Sequence, residues 1–324
     1  MARFENILYF VDSESPAADT LGLAVARARS LGARLTFASV IAPNDSSLVG
    51  GLLSPTRLEE LALEAKAERL EELIAPCRTA DVPIATRVLV GDPAAAIVRA
   101  VIADRYEMVW KAPAEGGRLR DRILGSVDMR LIRACPCPVA VVGSHRPEEG
   151  RRVTVAAVDV ANAVGREEVN DELNGRILDL ALAGLAESDT RLHIVHAWSL
   201  YGESVMRSPR THVNPEKLDA LLEKERAARQ EKLERLVEDY RSRLTGSEAE
   251  RFAPELHLVK GDPSSAIPSE LERLGADLMV MGTISRKGLT GFLIGNTAER
   301  ILHRLECSVV LAKPAGFVSP VPAA

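Results

Sequence analysis

VGDPAAAIVRAV (residues 90–101) and KGDPSSAIPSEL (residues 260–271) share the order Gly-Asp-Pro followed by Ala-Ile. They begin 170 residues apart, at positions 90 and 260, and the same offset pairs Gly125 with Gly295 without a gap. Self-similarity at a fixed offset is the signature of a repeated structural unit. We infer that the chain contains one unit twice.

Each half alternates short β-branched runs with amphipathic segments, which predicts a parallel α/β sheet covered by helices on both faces. The first strands end at Asp12 and Asp159, and the pattern predicts a doubly wound, five-stranded sheet in each half. The limits predicted for the two domains are 1–145 and 151–316, joined by a polar linker at 143–152. The later strands are predicted at 34–40, 84–90, 107–111, 138–142, 191–197, 254–259, 277–281 and 308–312, and the longer helices at 17–31, 57–77, 171–187 and 215–244.

Composition narrows the classes of function. Apolar residues make up 46% and charged residues 27% of the chain, which is typical of a globular protein. The net charge of −5 disfavours nucleic acid or an anionic membrane as partner. No apolar stretch is long enough to span a membrane and the start does not resemble a secretory signal. With only four cysteines, we expect a cytoplasmic location.

A glycine-rich segment, MGTISRKGLTGFLIGNTAERI (residues 281–301), follows the fourth predicted strand of the second half. Ligands of open α/β sheets bind beyond the carboxyl ends of the strands, and helix N-termini attract anions. Gly295 would let a phosphate approach the backbone, Asn296 or Thr297 could cap the helix or contact a phosphate oxygen, and Arg286 could neutralise charge. The segment matches neither a Walker loop nor a dinucleotide fingerprint, so a crossover without a ligand stays open.

Several short motifs together resemble the universal stress protein family, most closely its tandem E-type members. They are the Asp that closes each first strand, the Gly-Asp-Pro turn, GTISRKG, GNTAERI, and the last strands CPVAVV and CSVVLA. The resemblance covers nearly the whole chain. It implies a Rossmann-like fold, two halves packed as a pseudo-dimer through their last strands, and, in the nucleotide-binding branch, the ATP-phosphate motif G-x2-G-x9-G followed by Ser, Thr or Asn.

Carried over by position, this resemblance implies an ATP site in the second half. The matching positions, including two on the adenosine side, are Asp159, Ala197, Gly282, Ser285, Gly295 and Asn296. Ser285 replaces the middle glycine of the motif. If a positive φ is required there, serine adopts it at a cost of about 1 kcal/mol.

The first half departs further from the motif. Ala112 and Glu115 replace the first two glycines, while Gly125 and Asp12 remain. Asp128 would add a negative charge to the first turn of the following helix, where it occupies the anion position electrostatically. We therefore expect the first half to bind no nucleotide.

The resulting hypothesis is a stress-response module that binds ATP in its second half and has no identifiable catalytic residue. One alternative is an adaptor that acts through protein partners or a small apolar ligand, and another is a slow ATPase. A homodimer of the whole chain is also possible. Fold and spacing do not separate these hypotheses.

The sequence contains two pairs of potential metal ligands. Cys135 and Cys137 lie two residues apart, but no second pair at zinc-ligand spacing follows. His193 and His196 lie on one predicted strand, where histidines that share a face could bind a metal. A histidine satisfied by a hydrogen bond is the alternative, and we expect no metal site.

Overall fold

The computed structural model describes most of the chain. The described residues are 4–13, 18–42, 55–112, 126–143, 152–161, 167–184, 190–283 and 294–322. Ser285, Arg286 and the motif positions Glu115 and Gly125 lie outside them.

Strands and helices alternate in both halves, as the sequence pattern predicts. The first half contains β1 (Asn6–Phe10), α1 (Ala18–Leu31), β2 (Arg34–Ile41), α2 (Pro55–Ile74), β3 (Ile84–Val90), α3 (Pro93–Asp104), β4 (Met108–Lys111), α4 (Ser126–Ala134) and β5 (Val139–Val141). The second half contains β6 (Arg152–Ala157), α5 (Glu167–Gly184), β7 (Thr190–Trp198), α6 (Glu203–Met206), α7 (Pro215–Arg241), α8 (Ser247–Arg251), β8 (Glu255–Lys260), α9 (Pro263–Leu274), β9 (Leu278–Gly282), α10 (Asn296–Leu302) and β10 (Ser308–Ala312).

The strands form one ten-stranded sheet in the order β3-β2-β1-β4-β5-β10-β9-β6-β7-β8. All pairings within a half are parallel, and the order is the same in both halves when each is read from its outer edge. The halves meet where β5 and β10 pair antiparallel, with Ala140 opposite Val310. The doubly wound α/β prediction is therefore confirmed. The pseudo-dimer stays an interpretation, because strand pairing alone does not establish a twofold relation.

Backbone conformation and helix capping explain the sequence of the two Gly-Asp-Pro turns. Gly91 and Gly261 have φ angles of +132° and +150°, which only glycine adopts without strain. The next residues, Asp92 and Asp262, accept backbone N–H groups of α3 and α9 at 3.0 and 2.9 Å. Proline then occupies the first position of each helix, where its missing N–H costs nothing. The repeat thus marks the start of the third helix in each half.

Two apolar layers cover the sheet. Side chains from α1, α2, α5 and α7 pack on one face, and those from α3, α4, α9 and α10 pack on the other. The long charged helix α7 buries one apolar stripe, including Leu222, Leu233 and Tyr240, as expected for an amphipathic helix that covers a sheet. In the described part of the chain no helix is both long and apolar enough to cross a membrane.

Polar contacts join the halves on both faces of the sheet. Arg133 of α4 forms a 2.8 Å ion pair with Glu299 of α10. On the opposite face, Arg27 of α1 donates to the carbonyl oxygen of Gly184 in α5 at 3.0 Å. These contacts flank the β5–β10 pairing, so the two halves pack along helices as well as through strands.

Candidate functional site

Three predicted site residues lie at the carboxyl edge of the second half. Asp159 follows β6 by two residues, Ala197 is the next-to-last residue of β7, and Gly282 ends β9. These three strands are neighbours in the order β9-β6-β7, and they run parallel. The edge therefore brings together residues that are far apart in sequence, at the place where ligands of open α/β sheets bind.

Two asparagines of α5 hold Asp159 in place. Asn174 accepts the backbone N–H of Asp159 at 3.0 Å and donates to its carbonyl oxygen at 2.9 Å. The Oδ1 atom of Asp159 accepts the N–H of Ala161 at 2.9 Å, and Oδ2 accepts from Asn170 at 3.4 Å. The carboxylate is thus fixed by neutral donors. The sequence reading missed both asparagines, although two poor helix formers four residues apart within an amphipathic helix are a usable signal.

Two residues near the end of β6 carry buried polar atoms without a hydrogen-bond partner. Within the described residues they include the Oδ1 atom of Asn170 and the Nε2 atom of His196, whose residues are 5% and 2% exposed. The Nδ1 atom of His196 lies 3.1 Å from the carbonyl oxygen of Val158, to which it donates when it carries the proton, and 3.5 Å from the backbone nitrogen of Val160. Burial lowers the pKa of His196. His193 and His196 lie three residues apart on β7 and therefore point to opposite faces of the sheet, so they cannot bind one metal ion together.

The two motif glycines, Gly282 and Gly295, differ in how closely neighbouring atoms approach them. A Cβ atom on Gly282 would lie 2.6 Å from Cδ2 and 3.1 Å from Cγ of Leu173, so the Leu173 side chain or α5 would have to shift to admit any other residue. A Cβ atom on Gly295 would meet its nearest neighbour, the carbonyl oxygen of Thr283, at an ordinary 3.6 Å. Packing therefore accounts for Gly282, while the described neighbours of Gly295 do not require glycine.

Gly295 is also the N-cap of α10, and no side chain caps this helix. The expectation that Asn296 or Thr297 caps it was wrong, because both residues already belong to its first turn. A residue inside the first turn cannot take the extended conformation of an N-cap. Both side chains are exposed, on the same edge of the sheet as Gly282.

The corresponding edge of the first half carries a buried ionic cluster. Lys111 is the last residue of β4. Its Nζ atom lies 2.5 Å from Oδ2 of Asp12 and 2.9 Å from Oδ1 of Asp128. The Lys111 and Asp128 side chains are 1% and 2% exposed. At the 170-residue offset, the second half has Met281 and Ala298 in place of this lysine and aspartate. The first half thus supplies its own cation and anion where the resemblance places a nucleotide.

A mostly apolar cavity of about 110 Å³ lies between α1 and α5, against the strands at the centre of the sheet. Residues from both halves line it, among them Tyr9, Trp110, Leu180 and Val310. Arg152 and Asp277 also contribute to the lining. Its apolar walls suit a small apolar ligand rather than a nucleotide phosphate.

Comparison with known proteins gives consistent results. The family model described as "Universal stress protein family" matches residues 3–143 and 169–313. Universal stress protein E of Salmonella typhi is 28% identical over 333 residues, covering 99% of this chain and 98% of the relative. The Escherichia coli K12 protein of the same name is 27% identical with the same coverage.

A solved structure from Pseudomonas aeruginosa UCBPP-PA14, described as a universal stress protein, is also similar. It shares 26% identity and a TM-score of 0.62, and the similarity covers 96% of this chain and 94% of that one. A universal stress protein from Archaeoglobus fulgidus shares the fold at 17% identity and a TM-score of 0.58. Both similarities extend over the two halves together.

Proposed function

Because the chain belongs to the universal stress protein family, we propose that it is a stress-response module whose second half binds ATP. In this proposal Asp159 and Ala197 lie on the adenosine side. Gly282, Ser285, Arg286, Gly295, Asn296 and Thr297 lie on the phosphate side. The roles of these residues follow from the family resemblance, and the geometry of the carboxyl edge supports the roles of Asp159, Ala197 and Gly282.

The observation that carries the proposal is the difference between the two first-strand aspartates. Asp12 is paired with the buried cation Lys111, whereas Asp159 is contacted by amide and backbone donors. A carboxylate bonded to neutral donors keeps lone pairs for the hydroxyl groups of a ribose. Asn170 contacts this carboxylate through its amide nitrogen and has a buried, unpartnered Oδ1, and His196, which contacts the carbonyl oxygen of Val158 through Nδ1, has a buried, unpartnered Nε2. A ligand with several donors, such as a nucleoside, suits this arrangement.

Binding of ATP to the native protein must raise its melting temperature. At an ATP concentration 100-fold above Kd, we expect stabilisation by about 2.7 kcal/mol. The measurement is thermal unfolding of the full chain with and without Mg-ATP. Gly295→Val is expected to remove the shift, because its side chain would occupy the space next to the phosphates. Its counterpart at the repeat offset, Gly125→Val, should leave the shift unchanged.

The comparison of these two variants also shows how the proposal could fail. A Gly295→Val protein that melts like the parent and keeps the full ATP shift would contradict the site assignment. If ATP shifts neither the parent nor the variants, the nucleotide proposal itself is refuted. The first result leaves ATP binding intact, so the two failures are distinguishable.

Ser285→Gly tests the departure from the family motif. We expect the affinity for ATP to rise, because glycine adopts a positive φ without strain and removes a Cβ from the phosphate side. If the loop requires a positive φ at this position, removal of about 1 kcal/mol of strain corresponds to an approximately fivefold lower Kd. Isothermal titration calorimetry measures the change. An equal or higher Kd would show that Ser285 does not limit binding.

The alternative of an adaptor with a small apolar ligand is favoured by one observation, the cavity between α1 and α5. It predicts that an apolar probe, rather than ATP, raises the melting temperature. The replacement Leu180→Trp, which adds bulk to the lining of the cavity, should then block that probe and leave ATP binding unchanged.

A cytoplasmic location and a homodimer of the whole chain also stay predictions. A homodimer would have to use a surface other than β5 or β10, since these strands pair with each other.

A further inference from the structure

Two histidines and two glutamates meet at the outer side of the second half, away from the proposed nucleotide site. His193 lies on β7, and Glu255 and His257 lie on the edge strand β8, with His193 opposite Glu255 in the parallel register. Glu270 projects onto the same group from α9. His193 precedes Ala197 by four residues, so the cluster lies about 13 Å along the strand from the carboxyl edge.

The potential ligand atoms have the spacing of a metal site. The Nδ1 atom of His193 is 2.9 Å from Nε2 of His257 and 3.7 Å from Oε2 of Glu255. One ligand atom from each of these three residues falls within 4.8 Å of the others. Tetrahedral zinc with bonds of about 2.0–2.2 Å separates its ligand atoms by about 3.3–3.6 Å. The two observed distances lie on either side of that range, so the two pairs that involve His193 need shifts of only a few tenths of an ångström.

A carboxylate behind His257 fixes the orientation of its ring. The Nδ1 atom of His257 is 3.1 Å from Oε1 of Glu270, whose side chain is 11% exposed. Glu270 is itself held by Arg273 through two hydrogen bonds of 2.9 and 2.6 Å. When the Nδ1–H group of His257 donates to this carboxylate, the lone pair of Nε2 faces His193. Histidines that bind metals are oriented by a carboxylate in the same way.

We propose that His193, His257 and Glu255 form a binding site for a divalent transition-metal ion of the zinc class. His193 Nδ1, His257 Nε2 and a Glu255 oxygen are the protein ligands, and Glu270 positions His257. Imidazole nitrogen combined with one carboxylate suits Zn²⁺, Cu²⁺ and Ni²⁺ better than Mg²⁺ or Ca²⁺. The Glu255 side chain is 64% exposed, so water can reach the fourth coordination position. A bound ion would cross-link β8, an outer strand of the sheet, to its neighbour β7.

The experiment is a titration of the chelator-treated full chain with ZnCl₂ by isothermal titration calorimetry, repeated with Co²⁺ and visible absorption. We expect one equivalent to bind, with the absorption of four-coordinate cobalt bound to nitrogen and oxygen. Glu255→Gln and His257→Gln should each weaken binding by at least tenfold. Because Glu255 is exposed, its replacement leaves the fold intact. The control is His212→Gln, which changes an exposed histidine outside the cluster and should bind like the parent.

Three results would overturn this proposal. The first is the absence of stoichiometric binding of either ion at millimolar concentration. The second is equal affinity in the parent, Glu255→Gln and His257→Gln. The third is the thiolate-to-cobalt charge-transfer absorption expected if Cys135 and Cys137 were the ligands. Thermal unfolding provides a second measurement, in which Zn²⁺ should stabilise the parent and His212→Gln but not Glu255→Gln.

Discussion

Replacing Lys111 by methionine is expected to lower the free energy of unfolding of the first half by about 3–5 kcal/mol. The lysine is 1% exposed and contacts both Asp12 and Asp128, the latter also buried. Removal of the cation leaves a carboxylate in a medium that solvates it poorly, and the cost of such an unpaired charge exceeds that of a lost surface pair. Urea denaturation measures the effect as a lower midpoint with an unchanged slope.

The second half supplies a matched control for this variant. Lys111→Met combined with Asp128→Ala introduces the residues that the second half has at the same positions, Met281 and Ala298. Replacing both members of a buried ion pair by apolar groups is often neutral or stabilising. We therefore expect the double variant to recover most of the lost stability. A single Lys111→Met variant within about 0.5 kcal/mol of the parent, the range of ordinary surface substitutions, would contradict the interpretation of the cluster.

Gly282→Ala is expected to destabilise the second half by about 1–3 kcal/mol, the usual cost of overpacking a core. The reason is the 2.6 Å separation between the added Cβ and Cδ2 of Leu173, a buried side chain of α5. The measurement is chemical or thermal unfolding without nucleotide. Gly295→Ala is the matched control. Its added Cβ would lie 3.6 Å from the nearest atom, the carbonyl oxygen of Thr283, and the φ angle of −62° at this position suits any residue.

A double-mutant cycle separates the packing role of Gly282 from a ligand role. Leu173→Ala removes the atoms that clash, so Gly282→Ala should cost much less in that background, with a coupling of about 0.5–3 kcal/mol. The prediction fails if Gly282→Ala is as stable as the parent but binds ATP weakly. That result would assign the glycine to the ligand instead of to α5.

Most of the fold follows from local patterns in the sequence. The helices predicted at 17–31 and 215–244 are observed at Ala18–Leu31 and Pro215–Arg241. The β3 prediction, 84–90, has the observed limits. Hydrophobic periodicity and turn-forming residues determine local structure over a few residues. The internal repeat also provides each element twice, so that the two copies can be compared. Errors concentrate at element ends, where α5 begins at Glu167 rather than near residue 171.

The features that the sequence reading missed depend on contacts between distant residues. Nothing in the sequence near Gly282 indicates Leu173, 109 positions earlier, so the packing role of this motif glycine could not be predicted. The sequence singles out Asp12 and Asp128, but Lys111, the cation that pairs with both, is the last residue of a strand that is otherwise apolar. His257 pairs with His193 only because β7 and β8 are neighbours in the sheet. All three contacts depend on which strands and helices are neighbours in the folded chain, and local sequence patterns do not contain that information.

The antiparallel pairing of β5 with β10 has a consequence for assembly and stoichiometry. Two separate subunits joined through such strands would dissociate on dilution, whereas a tethered partner is present at an effective concentration on the order of millimolar. The contact in this chain is therefore independent of expression level. Each molecule also carries one copy of each half. The sequences of the two halves can therefore diverge without producing a mixture of dimers of different composition. If only the second half binds ATP, as proposed, a nucleotide titration should follow a single-site isotherm, with one ATP per chain.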